Sequence, residues 1–279
     1  MPIERRFPVL PTMLTLGNAF CGFAAITYAA QVGPNTQMSE MLLRTAALYI
    51  FAGMVFDALD GAVARWTNQQ SEFGAQLDSL CDVVTFGVAP AFLMRQFCAD
   101  SVFHTRIIWG IAALYVMCAI LRLARFNTDI ERDDSHSWFA GLPSPAAAAV
   151  VASFPIAMNA VRRWLDPDKA NILESARQVT GWLNTALIQS LPLVTLAIAC
   201  LMVTQLRYPH VMNQLISRRR SRIQLIQIVF TVVIAFVVGE MIVLLACCWF
   251  AFGAPLRPLW QRWTPRSALR HPPARFPPS

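Results

Sequence analysis

The chain has 279 residues, 56% of them hydrophobic and only 14% charged, where soluble domains carry about 25% charged residues. With a mean hydropathy of +0.47, this composition excludes an ordinary soluble enzyme. The net charge of +7 is nearly all arginine, Lys169 being the only lysine. No exposed basic stripe interleaved with aromatics marks a nucleic-acid binder.

Transmembrane helices need about 20 mostly apolar residues. Stretches of that kind predict spans near 10–30, 41–63, 79–98, 107–125, 143–161, 186–206, 223–238 and 240–254. The expected fold class is therefore all-α, a polytopic helix bundle of about eight spans. The last two spans share one apolar stretch broken only by Gly239 and Glu240. With eight spans and an inside N-terminus, 16 of the 23 basic residues fall in cytoplasmic segments. Seven spans would place the arginines of the C-terminal tail outside, against the positive-inside tendency.

Arg5 and Arg6 precede an apolar run, but Thr15, Gly17 and Asn18 interrupt it and no A-x-A site follows, so no cleavable signal peptide is expected. Residues 1–254 read as the membrane domain and 255–279 as a disordered cytoplasmic tail rich in Pro and Arg. The polar segment 162–185 reads as an extramembrane loop with room for a short amphipathic helix. The seven cysteines lie in or beside apolar blocks without metal spacing, as small buried hydrophobes do. The four scattered histidines do not suggest a His-based metal site.

The chemistry lies in Asp57-Ala-Leu-Asp60-Gly61-Ala-Val-Ala64-Arg65 and Gly74-Ala-Gln-Leu-Asp78-Ser-Leu-Cys-Asp82. Acids in apolar helices are costly, and mark function by default. Asp57 and Asp60 are three apart and Asp78 and Asp82 four apart, so each pair shares a helix face. A short connection makes the two helices neighbours, and four carboxylates can converge. Such mutually repelling groups call for a hard divalent cation, Mg²⁺ or Mn²⁺, which can also bind a pyrophosphate. Gly61 and Gly74 leave room for a nucleotide near the backbone, and Arg65 can pair with phosphate.

This stretch resembles the motif D-x2-D-G-x2-A-R-x8-G-x3-D-x3-D of the CDP-alcohol phosphotransferases at every fixed position. The resemblance implies that Asp57, Asp60, Asp78 and Asp82 bind metal. It implies that Asp82 is also the general base on the acceptor hydroxyl. Asp57, Asp60, Gly61, Ala64, Arg65 and Gly74 would bind the CDP-lipid. Homodimers and a cytoplasm-facing site in a prokaryotic inner membrane also follow from the family.

Further segments resemble one branch, the bacterial and archaeal phosphatidylserine synthases. They are Leu10-Pro-Thr-Met-Leu-Thr-Leu-Gly-Asn18, Phe20-Cys-Gly-Phe, Asp82-Val-Val-Thr-Phe-Gly-Val-Ala-Pro90, Leu121-Arg-Leu-Ala-Arg-Phe-Asn127 and Gly141-Leu-Pro-Ser-Pro145. That branch implies CDP-diacylglycerol and L-serine as substrates, with phosphatidylserine and CMP as products. Asn18, Arg122, Arg125 and Asn127 are candidates for the acceptor or lipid-phosphate site. Arg122 and Arg125 read equally well as positive-inside anchors, and Asn18 as a helix–helix hydrogen-bonding residue. Another acceptor, such as glycerol 3-phosphate, inositol or choline, is the runner-up. A transporter with an acidic ion site is the rival from another class, but it predicts acids at several depths.

Overall fold

The computed structural model describes residues 9–33, 36–67, 71–130, 138–164, 174–204, 207–209 and 241–263. Helices α1 (Val9–Ala30) and α2 (Thr36–Trp66) are followed by α3 (Glu72–Asp82), a π-helical turn (Val83–Val88) and α4 (Ala89–Phe97). Then come α5 (Thr105–Ile130), α6 (Ser144–Trp164), α7 (Glu174–Val203) and α8 (Met241–Trp263). A two-stranded antiparallel ladder joins β1 (Trp138–Ala140) to β2 (Arg207–Pro209), with Phe139 opposite Tyr208.

Six helical stretches are long and apolar enough to cross a membrane, one of them being α3 through α4 as a single unit, Glu72–Phe97. The chain is thus a multi-pass helical membrane protein. The expected span at 223–238 lies outside the described residues, and Met241–Gly253 forms a shorter apolar helix. Of the expected extramembrane loop at 162–185, residues 165–173 lie outside the described residues; α6 runs to Trp164, and α7 begins at Glu174 and continues unbroken into its span, where only a short helix was expected. Polarity there reports a helix projecting beyond the apolar layer, not a break in it. Helix α8 likewise continues into the expected tail as far as Trp263.

Packing centres on α6, whose first turns are a run of small residues. Ala147, Ala148, Val150, Val151 and Ala152 are completely buried, and α2, α7 and α8 all pack against this helix. Small side chains let backbones approach closely where lipid offers no hydrophobic drive between helices. The opposite surfaces are apolar and outward-facing. On α1, Val9, Met13, Leu16, Phe20 and Phe23 form one exposed stripe at three- and four-residue spacing, as a lipid-facing surface requires.

Three prolines lie inside spans, Pro90, Pro155 and Pro192, and side chains donate to the carbonyls left open by Pro90 and Pro192. Pro90 has no amide for the carbonyl of Phe86, four residues earlier. The Tyr115 hydroxyl, fully buried on α5, donates to that oxygen at 3.1 Å. Pro192 leaves the carbonyl of Ile188 in the same position, and Cys98 Sγ donates to it at 3.5 Å. Such side-chain donors are what allow helix-breaking prolines in a membrane.

At the turn into α6, Gly141 has φ +87. A Cβ there would collide with the Met202 carbonyl oxygen at the end of α7. Leu142 N donates to Leu201 O at 3.2 Å, which fixes where α6 begins relative to α7.

Candidate active site

The aspartates come from adjacent helix ends. Asp57 and Asp60 lie in the last third of α2, and Asp78 and Asp82 on α3, which Ser71 caps by accepting from Gly74 N at 3.0 Å. Carboxylate oxygens of Asp57, Asp78 and Asp82 lie within 4.8 Å of one another. Asp82 is buried, and Asp57 and Asp78 are half-buried. Asp60 is not one of this trio but lies close enough to interact electrostatically with Asp57 and Asp78. It is buried, and its Oδ2 accepts a hydrogen bond from the Thr15 hydroxyl of α1.

Helix α1 also holds Asp82. The Asn18 amide donates from Nδ2 to Asp82 Oδ1 at 2.9 Å, and Asn18 is completely buried. Behind it, the Thr85 hydroxyl donates to the Asn18 carbonyl oxygen at 2.9 Å. Thr85 lies in the π-helical turn that begins immediately after Asp82. It fits there because α1 and α2 present glycines to it. A Cβ on Gly22 would stand 2.5 Å from Thr85 Oγ1 and 2.8 Å from its Cα, and one on Gly53 would stand 2.5 Å from Thr85 Cγ2. The widened π turn, a form frequent at functional sites, thus sets the azimuth of Asp82 against two neighbouring helices.

The acceptor candidates separate into distinct roles. Arg122 is turned inward on α5, close enough to Asp57 and Asp82 to interact electrostatically with both. Its Nη1 donates to Ser144 Oγ at 2.7 Å, so it is not merely an interfacial anchor. Arg125 is exposed. Asn127 is half-buried, and its Nδ2 donates to Ser79 Oγ at 2.9 Å, joining α5 to the residue next to Asp78. Gly61 is exposed, with open space where a Cβ would be, whereas Gly74 faces only Ser71 Oγ at 3.1 Å. Ala64 is half-buried on α2. Arg65 lies on the same helix, but its side chain falls outside the described residues.

The donor set fits a hard divalent cation. Three hard oxygen ligands converge, and Asp78 Oδ1 is buried without a hydrogen-bond partner. An uncompensated buried carboxylate oxygen is expensive, and coordination would compensate it.

The sequence comparison agrees with this geometry. The family model for CDP-alcohol phosphatidyltransferase matches residues 8–189. The chain belongs to this family. Among relatives, it is 38% identical over 151 residues to a Helicobacter pylori (strain J99) protein named CDP-diacylglycerol–serine O-phosphatidyltransferase, covering 54% of this chain and 58% of that one. Proteins of the same name from Bacillus subtilis (35% over 147 residues, 52% of this chain and 75% of that one) and Saccharomyces cerevisiae (36% over 144 residues, 50% of each) are also similar. The chain spans 58% of the Helicobacter relative and 45–46% of the mycobacterial ones.

Sequence reasoning missed Thr15, Ser79, Thr85 and Ser144 as residues beside the aspartates and their partners, and Gly22 and Gly53 as spacers around Thr85. Thr15, Thr85 and Ser144 lie inside segments already singled out by resemblance. Small residues and hydroxyls inside an apolar helix were the available signal.

Proposed function

We propose that this chain transfers the phosphatidyl group of CDP-diacylglycerol to L-serine, giving phosphatidylserine and CMP. The observation that carries the reading is the convergence of Asp57, Asp78 and Asp82 from two helices within 4.8 Å, in a member of a family defined by transfer from CDP-alcohols. Serine as acceptor is supported by relatives in Helicobacter, Bacillus and Saccharomyces that bear one and the same name.

Asp57, Asp60, Asp78 and Asp82 would hold the divalent metal, Mg²⁺ or Mn²⁺. When bound, it supplies positive charge against the pyrophosphate and the developing charge on CMP. The serine hydroxyl attacks the phosphorus that carries diacylglycerol. The bond from that phosphorus to the bridging oxygen breaks, and the electron pair leaves with CMP. Asp82 takes the hydroxyl proton. Asn18 occupies Asp82 Oδ1, leaving Oδ2 to face the reacting atoms.

Thr15 holds Asp60, so α1 clamps one carboxylate of each helix pair. Gly61, Ala64, Arg65 and Gly74 bind the nucleotide and its phosphates, Gly61 by leaving its flank open. Arg122, steadied by Ser144, pairs with the acceptor carboxylate or the lipid phosphate. Asn127, with Ser79, lies beside it, and Arg125 adds positive charge at the rim. The chain works as a homodimer in a prokaryotic cytoplasmic membrane, with the aspartates facing the cytoplasm. The acids lie on two adjacent helix ends, which disfavours an ion conduit with acids at several depths.

The test supplies purified protein with CDP-diacylglycerol, Mg²⁺ or Mn²⁺ and isotope-labelled L-serine. The label is expected in a lipid with the mass of phosphatidylserine. Label remaining in the aqueous phase, while glycerol 3-phosphate, inositol or choline is incorporated instead, would keep the family chemistry and overturn serine.

A further inference from the structure

At the membrane face opposite the aspartates, α4 ends and α5 begins. Asp78 and Arg95 are 17 residues apart along one helical unit, or about 25 Å at 1.5 Å per residue. Arg106 and Arg122 are separated by nearly the same rise on α5. Arg95 and Arg106 therefore stand about 20–25 Å from the aspartates along the helices, most of the way across the hydrocarbon core.

There, a cavity of about 220 Å³ is lined by Arg95, Thr105, Arg106 and Trp109. Trp109 is 64% exposed beside it. Neither guanidinium is paired with a carboxylate among the described residues. The helix amides at this end are largely taken: His104 Nδ1 accepts from Arg106 N at 3.2 Å, and His104 O accepts from Ile107 N at 2.8 Å. An anion in the cavity would thus be held by side chains rather than by the start of α5.

From this cavity we infer a binding site for the phosphate of an anionic phospholipid in the leaflet opposite the catalytic aspartates. Two guanidinium groups present paired donors to one phosphate. The indole lies where an amphipathic ring contacts the glycerol and upper acyl region. The Thr105 hydroxyl is a further donor at the rim. Two positive charges favour a lipid with net negative charge over one whose own ammonium already neutralises its phosphate. The site is independent of which alcohol the enzyme uses.

The test is native mass spectrometry of the full-length protein in detergent, titrated with phosphatidylglycerol or phosphatidylcholine of identical acyl chains. Wild-type protein is expected to retain one phosphatidylglycerol at least tenfold more tightly than phosphatidylcholine. The Arg95→Gln/Arg106→Gln variant loses that preference, and the Arg95→Lys/Arg106→Lys variant keeps part of it. Equal retention of the two lipids by wild-type protein, a comparison that needs no variant, overturns the proposal. So does an undiminished preference in the glutamine variant. Displacement of the lipid by millimolar inorganic phosphate would reassign the cavity to free phosphate and overturn the lipid assignment.

Discussion

Asn18 Nδ2 donates to Asp82 Oδ1 at 2.9 Å, linking the first helix to the last aspartate of the motif across 64 residues of sequence. Asn18 is fully buried, so the amide has no solvent to fall back on and the carboxylate is held in one rotamer. Replacing it with leucine removes the donor and leaves Asp82 free to turn. Partners that orient a metal-binding carboxylate cost about 10–100-fold in metal affinity or activity when lost. Asn18→Leu is expected to lower kcat within that range, and Asn18→Asp to lower it further by placing a second carboxylate against Asp82. Steady-state kinetics on folded protein check both. A wild-type kcat in either would remove Asn18 from the site.

The Thr85 notch makes a sharper packing prediction. In Gly53→Ala the new methyl meets Thr85 Cγ2 at 2.5 Å, whereas in Gly22→Ala it also meets the Thr85 backbone at 2.8 Å. Overpacking of this kind costs about 1–3 kcal/mol. Thr85→Ser deletes the offending methyl and keeps the hydroxyl. Thermal unfolding should therefore show Gly53→Ala largely rescued by Thr85→Ser, with the 3.0 Å contact to Asn18 Oδ1 remaining, and Gly22→Ala not rescued.

Much of this site was legible in the sequence for a reason that does not extend to the whole of it. The aspartates repeat at three- and four-residue spacing on consecutive helices, so local geometry alone brings each pair to one face. Asn18 with Asp82, Arg122 with Ser144 and Asn127 with Ser79 are joined only by tertiary packing, and no periodicity connects them. The π turn at Val83–Val88 has no propensity signal of its own; it becomes intelligible only once Tyr115 is seen at the Phe86 carbonyl that Pro90 leaves open. At 174–185 the sequence predicts no more than a short helix in a loop, because polarity reports solvent rather than conformation; the helix there runs unbroken into the next span. Of the eight expected spans, 223–238 lies outside the described residues.

Removing divalent metal should abolish turnover. Dialysis against EDTA is expected to stop CMP release, with recovery on adding Mg²⁺ or Mn²⁺. Asp78→Asn, which loses a carboxylate whose buried Oδ1 has no hydrogen-bond partner, should need at least tenfold more metal for half-maximal rate. Activity that survives rigorous metal removal would refute the metal assignment.

Ser144 steadies Arg122 through a 2.7 Å hydrogen bond to Nη1. Hydrogen bonds to charged groups contribute about 1.5–3 kcal/mol. Ser144→Ala should raise KM for L-serine about tenfold or more while changing kcat less, and Ser144→Thr should restore much of it. Acceptor-concentration series at saturating CDP-diacylglycerol measure this split. An unchanged KM would leave Arg122 to the lipid phosphate.

The central claim is that Asp82 takes the proton of a serine hydroxyl as CMP leaves. The most direct measurement is the rate of CMP release from CDP-diacylglycerol, with and without L-serine, by wild-type protein and by Asp82→Asn. The account predicts serine-dependent release by the wild type and a loss of at least about 100-fold in the variant, in line with general-base contributions of 10²–10⁴, with the variant still folded in the membrane. Near-normal release by Asp82→Asn, or release by the wild type that ignores serine, would contradict it.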